Sequence, residues 1–359
     1  MDLPVMPPVS PMLAKPASSL PLGDVSYEPK WDGYRCIVFR DGDEVIMGSR
    51  NEKPLNRYFP ELLEPFRASL PERCVVDGEV FVAIDGTLDF DALGQRIHPA
   101  ESRVRMLADA IPASFVAFDV LALGNESLID QPFRARRSVL ESIADTFDPP
   151  VHLAPSTLDP DRAMVWFDEF EGAGLDGLII KPLDQPYVSG KRTQFKLKQV
   201  RTADCVVAGY RMHKSGDGVG SLVLGLYDPD GRLRHVGVAA SFTAKRRAEL
   251  LADLAPIALD DISDHPWSEW MDAEANADGT MPGAPNRWSG AGGRDHAWIP
   301  LAPDRVVEVQ YTWATAGRFR GTTRLLRWRP DRDAISCHTD QLAAPEPLGS
   351  TSSLRTIVG

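Results

Sequence analysis

Glu28-Pro29-Lys30-Trp31-Asp32-Gly33-Tyr34-Arg35 sets one lysine in a short run of polar residues, proline and glycine. Taken alone, a lysine two positions from an aspartate reads as a solvated surface pair that contributes little. Immediately downstream, Cys36-Ile37-Val38-Phe39 and Glu44-Val45-Ile46-Met47 flank Arg40-Asp41-Gly42-Asp43, a pattern that predicts a hairpin with an Asp-Gly turn. Lys30 therefore stands just before a strand.

Working outward, Glu61 to Leu70 has helical apolar spacing, and Cys74 to Val82 reads as a buried strand carrying Asp77 and Glu79 at its middle. Buried strands rarely hold unpaired carboxylates. For Asp77-Gly78-Glu79 two readings stand side by side, a turn between short strands and a functional site. Phe115 to Leu121 repeats the theme, an apolar run interrupted by Asp119. Helical spacing returns over Pro132 to Asp145 and over Asp161 to Gly172, where Val165, Phe167 and Phe170 are available for packing. Leu175-Asp176-Gly177-Leu178-Ile179-Ile180-Lys181 is a strand with an acid-glycine entry, and in Phe195-Lys196-Leu197-Lys198 strand alternation points both lysines to one side. Two like charges on one face need solvent or an anion.

Beyond Thr202 the texture changes to short β-rich runs, Asp204 to Tyr210, Ser221 to Tyr227, Leu233 to Val238 and Val306 to Tyr311, which suggest a small barrel or sandwich. The domain boundary falls near Val200 to Ala203. Gly216-Asp217-Gly218-Val219-Gly220 opens no helix and reads as a hairpin loop, not a dinucleotide fingerprint. Pro266 to Pro300, with Trp267, Trp270, Trp288 and Trp298, reads as a long loop or insertion, and the tail after Leu342 as frayed.

Size and composition agree with this division. A chain of 359 residues, 43% hydrophobic and 25% charged, is large enough for two cores. Met1 to Pro8 shows no basic leader, and no segment reaches membrane-spanning length, so a cytoplasmic protein is expected. Cys36, Cys74, Cys205 and Cys337 lie far apart without zinc-site spacing and are expected to be reduced thiols. The net charge of -12 argues against coating nucleic acid by bulk charge. A local basic face remains: Arg318, Arg320, Arg324, Arg327, Arg329 and Arg332 meet one acid, Asp331, over the same stretch.

In order along the chain, Lys30-x-Asp32-Gly33-x-Arg35, Ser49-Arg50-Asn51, Asp77-Gly78-Glu79, Phe118-Asp119, Asp176-Gly177-Leu178-Ile179-Ile180-Lys181, Lys196-x-Lys198 and Arg327-x-Arg329-Pro330-Asp331 resemble the motif series of the covalent nucleotidyltransferases. Within that superfamily the series is similar to the ATP-dependent DNA ligases, and the compact length most resembles accessory bacterial ligases of the LigC type. The resemblance implies an α+β fold, with an ATP-grasp-like nucleotidyltransferase (adenylation) domain over residues 1–202 and an OB-fold β-barrel domain over residues 203–359. It implies sealing of nicked duplex DNA through a lysyl-AMP and a DNA-adenylate, in DNA repair, with ATP and Mg²⁺ or Mn²⁺ as cofactors. Repair polymerases or other repair proteins are the implied partners, and a cytoplasmic, nucleoid-associated monomer without membrane attachment is the implied form.

By the same resemblance Lys30 is the catalytic nucleophile, Glu28 recognises the adenine amino group and Phe118 stacks on the base. Arg35, Arg50 and Glu79 hold ribose or phosphate, and Glu79 with Asp176 are the metal ligands. Asp176 stands where the family usually has glutamate, which leaves direct and water-mediated coordination both open. Arg327 and Arg329, with Asp331, orient the pyrophosphate leaving group; Arg324 competes with Arg327 for that place, and Arg318 and Arg320 are candidates for DNA phosphates. A lysine attacks only as the neutral amine. Lys196, Lys198 and a bound metal would favour that form and also neutralise phosphate charge. The alternatives are an RNA ligase or guanylyltransferase of the same superfamily and a non-catalytic nucleic-acid-binding module.

Overall fold

The computed structural model describes residues 1–268, 297–315, 317–343 and 357. Met1–Gln199 and Val200–Ala344 form two compact units, and Ile357 packs with the core of the first. Trp270, Trp288 and the tail beyond residue 343, Ile357 excepted, lie outside the described residues. Among the described residues no helix is long and apolar enough to cross a membrane.

The first unit is built on two main sheets, with a small third one of Ala83–Ile84 and Thr87–Leu88. In the smaller main sheet, Leu13–Pro16, Arg192–Lys198, Gly177–Pro182 and Val25–Pro29 lie side by side in that order. The larger runs Val151–Leu153, Ser114–Leu123, Arg73–Phe81, Tyr34–Asp41 and Glu44–Ser49. Tyr34–Asp41 and Glu44–Ser49 form the hairpin that the Asp-Gly turn announced. Arg73–Phe81 is one unbroken strand, so the turn reading of Asp77-Gly78-Glu79 gives way. Gly78 is required within it, since a Cβ there would lie 2.2 Å from the Phe115 ring and 2.3 Å from the Val116 carbonyl.

Arginines answer for the acids inside these strands. Asp77, fully buried, takes Arg35 in a two-pronged bond of 2.6 Å per prong and accepts a hydrogen bond from Tyr187 Oη at 2.7 Å. Asp119 is held by Nε and Nη2 of Arg136 at 2.8 and 2.9 Å, with both side chains buried. Arg136 comes from the helix Phe133–Ala144, which lies against the Ser114–Leu123 strand. A buried charge persists only when a partner of opposite sign and good geometry offsets its desolvation.

The second unit is an OB-fold-like antiparallel sheet. Leu233–Ala240, Val219–Tyr227, Arg201–Met212, Val306–Tyr311 and Arg324–Trp328 pair in that order over their own apolar core. The loop at Gly216 joins two paired strands, as its glycines indicated. Trp267 is buried and donates its indole N–H to the Leu233 carbonyl at 2.8 Å.

Three helices went unread in the sequence: Phe90–Gln95, Glu101–Ala110 and Ala244–Leu254. Two carried visible start signals. Asp89 accepts from the Ala92 amide at 2.8 Å, and Thr243 Oγ1 from the Arg246 amide at 3.3 Å. Their buried faces are narrow, two residues on Phe90–Gln95 and two on Ala244–Leu254, so apolar periodicity was weak.

Candidate active site

Lys30 follows the fully buried strand Val25–Pro29 and is held by its backbone before its side chain does anything. Its amide donates to the Gly177 carbonyl at 2.8 Å, and the Asp176 amide donates to its carbonyl at 3.3 Å. Two glycines make that close approach possible. Gly177 has φ +128°, and a Cβ there would lie 2.0 Å from the Leu197 carbonyl; a Cβ on Gly33 would lie 2.2 Å from the Val80 carbonyl.

Strand register completes the cluster. Gly177 lies opposite Lys198, and Ile179 opposite both Glu28 and Lys196. Asp176 therefore meets two lysines at once: Lys30 Nζ is 2.6 Å from Oδ1, and Lys198 Nζ is 2.6 Å from Oδ2. Burial works against the Lys30 ammonium, but Asp176, with Asp32 and Glu79 behind it, outweighs burial and moves its pKa upward. Burial likewise opposes the Asp176 charge, and here the two lysines prevail and lower its pKa. Lys196 is shifted downward by partial burial and then by Lys198 and Lys30.

This corrects one expectation. The neighbouring lysines do not by themselves leave Lys30 neutral, because Asp176 stands between Lys198 and Lys30 and a carboxylate at 2.6 Å dominates. Asp176 forms an ion pair with a lysine at each of its oxygens, the one with Lys198 also a hydrogen bond.

Glu79 lies opposite Arg35 in the sheet. Burial pushes its carboxyl up to about 7, against the pull of Arg35 and Lys30. Asp176, Asp32 and Glu79 are the carboxylates that act on Lys30; among the described residues no group of three or more His, Cys, Asp or Glu forms a metal cluster.

Phe118 is buried, with the Arg35 guanidinium 4.4 Å and the Lys181 ammonium 4.7 Å from its ring centroid. Arg35 has two of its nitrogens on Asp77, so its rigid placement beside Phe118 is what the structure shows most directly. Glu28 is buried, with Oε2 2.7 Å from Lys181 Nζ. Arg50 is exposed at the end of the first hairpin.

In the second unit the arginine run separates by partner. Arg329 is held by Asp204 and Asp331, each at 2.9 Å, and its side chain is 18% exposed. Arg327 bonds Glu308 at 2.6 Å and is 62% exposed. Arg324 is exposed. Sequence reasoning missed Arg136, Arg137 and Asp204, and gave Lys181 no role although it closes the Asp176–Lys181 motif as a charge at the end of an apolar strand.

Residues 11–198 match the family described as the ATP dependent DNA ligase domain, and residues 215–332 match the ATP dependent DNA ligase C terminal region. The chain is 54% identical over 351 residues to DNA ligase C of Mycobacterium tuberculosis, covering 96% of each. It is 52% identical over 359 residues to DNA ligase C2 of Mycolicibacterium smegmatis, covering 99% of this chain and all of the relative. A solved structure from a study of DNA binding by Lig E DNA ligases superposes with a TM-score of 0.55 at 18% identity, over 89% of this chain and 99% of the other, a likeness of fold.

Proposed function

The chain belongs to the ATP-dependent DNA ligases, and on that premise we propose that Lys30 takes AMP from ATP and that the protein then passes it to the 5′-phosphate of nicked duplex DNA, in repair, acting as a monomer at the bacterial nucleoid. The observation that carries this reading is the bridge of Asp176 between Lys30 and Lys198 on a fixed backbone. In the first step Lys30 Nζ bonds to the α-phosphorus, the bond from that phosphorus to pyrophosphate breaks, and Lys30 gives up a proton. Asp176 Oδ1, 2.6 Å away, is the acceptor at hand. Lys196 and Lys198 offer the phosphates positive charge from one strand face.

Phe118 supplies the stacking surface and Glu28 the acceptor for the adenine amino group. Of the arginines, Arg327 stands further into solvent and is the better candidate for the leaving group, while Arg329 fixes the start of its own barrel sheet through Asp204. Glu79 is an oxygen donor suited to Mg²⁺, which takes few carboxylates and completes its shell with phosphate and water, and Asp176, with a lysine on each oxygen, would reach the ion through water; bound there it would supply charge to the phosphates.

The test is direct. The protein is mixed with α-labelled ATP and Mg²⁺ and then denatured. Label stays with the wild type and not with Lys30→Ala, and unlabelled ATP supports sealing of nicked duplex DNA. Label that persists on Lys30→Ala defeats the assignment.

A further inference from the structure

Lys181 is 2% exposed and has no place in the phosphate chemistry. Its ammonium makes two bonds, to Glu28 Oε2 at 2.7 Å and to the Phe118 carbonyl at 2.9 Å, and it lies 4.7 Å from the Phe118 ring centroid. One cation thus ties the base-stacking residue to the base-reading residue. The register explains how: Lys181 sits opposite Ser26 and Ile179 opposite Glu28, so Lys181 and Glu28 occupy the same face of neighbouring strands.

The other oxygen of Glu28 is an anomaly. Oε1 is buried without a hydrogen-bond partner, and so is Nη1 of Arg137, 3.9 Å away. The remaining nitrogens of Arg137 are spent on Glu141 at 2.7 Å and on the Ala154 carbonyl at 2.9 Å. A buried acceptor and a buried donor left unmade beside a stacking ring point to a ligand that completes them.

We infer that Lys181 sets the choice of purine: it keeps the Glu28 carboxylate charged and occupies Oε2, leaving Oε1 as an acceptor only, which takes the amino hydrogen of adenine and repels the 6-oxo group of guanine. An ionised carboxylate can only accept, whereas a protonated one carries an O–H that can donate to that oxo group. Burial holds the Glu28 carboxyl above its ordinary range even beside Lys181, whose charge and hydrogen bond pull it back down, so removing the lysine leaves burial to push it further towards the protonated form. The groups facing it are Lys181 from its own sheet, Arg137 from the helix and Asp119 from the larger sheet. Arg137, at 3.9 Å and anchored elsewhere, pulls the same way less strongly than Lys181, and Asp119 pushes against both.

The inference rests on the reading of Glu28 as the base-contacting residue, and the experiment separates the two. Single-turnover nucleotidylation of the full chain is measured with α-labelled ATP and α-labelled GTP, and the ratio of their kcat/KM values is compared between variants. Lys181→Met lowers the preference for ATP at least tenfold, through the KM values, while Lys181→Arg retains it. In Lys181→Met the use of GTP relative to ATP declines as pH rises, because the donor is the neutral carboxyl; taking the ratio cancels the titration of Lys30. Lys181→Gln serves as a second neutral variant if the methionine variant fails to fold. A folded neutral variant that slows both nucleotides alike, with the ratio unchanged, overturns the inference, as does an equal loss of preference in Lys181→Arg. If Glu28→Gln leaves the ratio unchanged, Glu28 does not read the base and the underlying reading fails. If Glu28→Gln relaxes the ratio and Lys181→Met does not, only the role of Lys181 fails.

Discussion

Lys30 Nζ lies 2.6 Å from Asp176 Oδ1, so the lysine rests as an ammonium ion in contact with the carboxylate best placed to take its proton. Asp176 shares its other oxygen with Lys198 at the same distance. Activation of Lys30 is therefore a matter of how one carboxylate is divided between two lysines.

Opposite pH shifts follow for the two partners. Asp176 raises the Lys30 pKa, so Asp176→Asn moves the acid limb of the adenylation profile to lower pH, even as the step slows. Lys198→Ala removes a cation and leaves Asp176 to Lys30 alone, so its acid limb moves up. Each change is expected to be about one pH unit, equivalent to about 1.4 kcal/mol. Single-turnover adenylation across pH checks both signs; shifts in the same direction would refute the division of Asp176.

Glu79 links stability to pH. Its folded pKa is raised to about 7 by burial. The folded state therefore holds a proton that the unfolded state has released, and stability declines as pH rises from the unfolded carboxylate value towards 7. Glu79→Gln removes that decline, and allowing for the residue's partial exposure the variant gains about 1–3 kcal/mol over wild type at pH 8 and little at pH 4. Urea denaturation at the two pH values decides the point, and a gain confined to pH 4 would contradict it.

Asp119 and Arg136 form a buried pair whose halves depend on each other. Asp119→Ala leaves an uncompensated guanidinium and is expected to cost about 3–5 kcal/mol. Replacing both partners with apolar residues of similar volume recovers most of the loss. Equilibrium unfolding of the single and double variants measures this, and a double variant as unstable as the single one would count against it.

Gly177→Ala tests the backbone clamp. The new Cβ would lie 2.0 Å from the Leu197 carbonyl at φ +128°, so Asp176 or the Lys198 strand must shift. A destabilisation of about 1–3 kcal/mol is expected, together with a fall in Lys30 adenylation that remains when the assay is run well below the melting temperature. Retained activity in the folded variant would show that the clamp tolerates displacement.

Much of the local architecture was legible in the residues. Alternation placed Lys196 and Lys198 on one side of Arg192–Lys198, and the Asp-Gly turn marked the hairpin before its strands were seen. These are short-range effects, set by the two-residue period of a strand and by turn geometry. The helices Phe90–Gln95 and Ala244–Leu254 escaped because each turns only two residues into its core.

The residues in order named the family, the succession of the motifs and Lys30 as the candidate nucleophile, because chemistry demands particular side chains in a particular succession. They could not determine which charge answers which. Asp77 with Arg35, Asp119 with Arg136, Lys181 with Glu28 and Asp176 with Lys30 join residues from different elements, and strand alternation names a face but not the neighbour across it. Sheet register made those pairings. It turned Lys30, which alone reads as a surface lysine, into one half of a partly buried ion pair held as ammonium by Asp176.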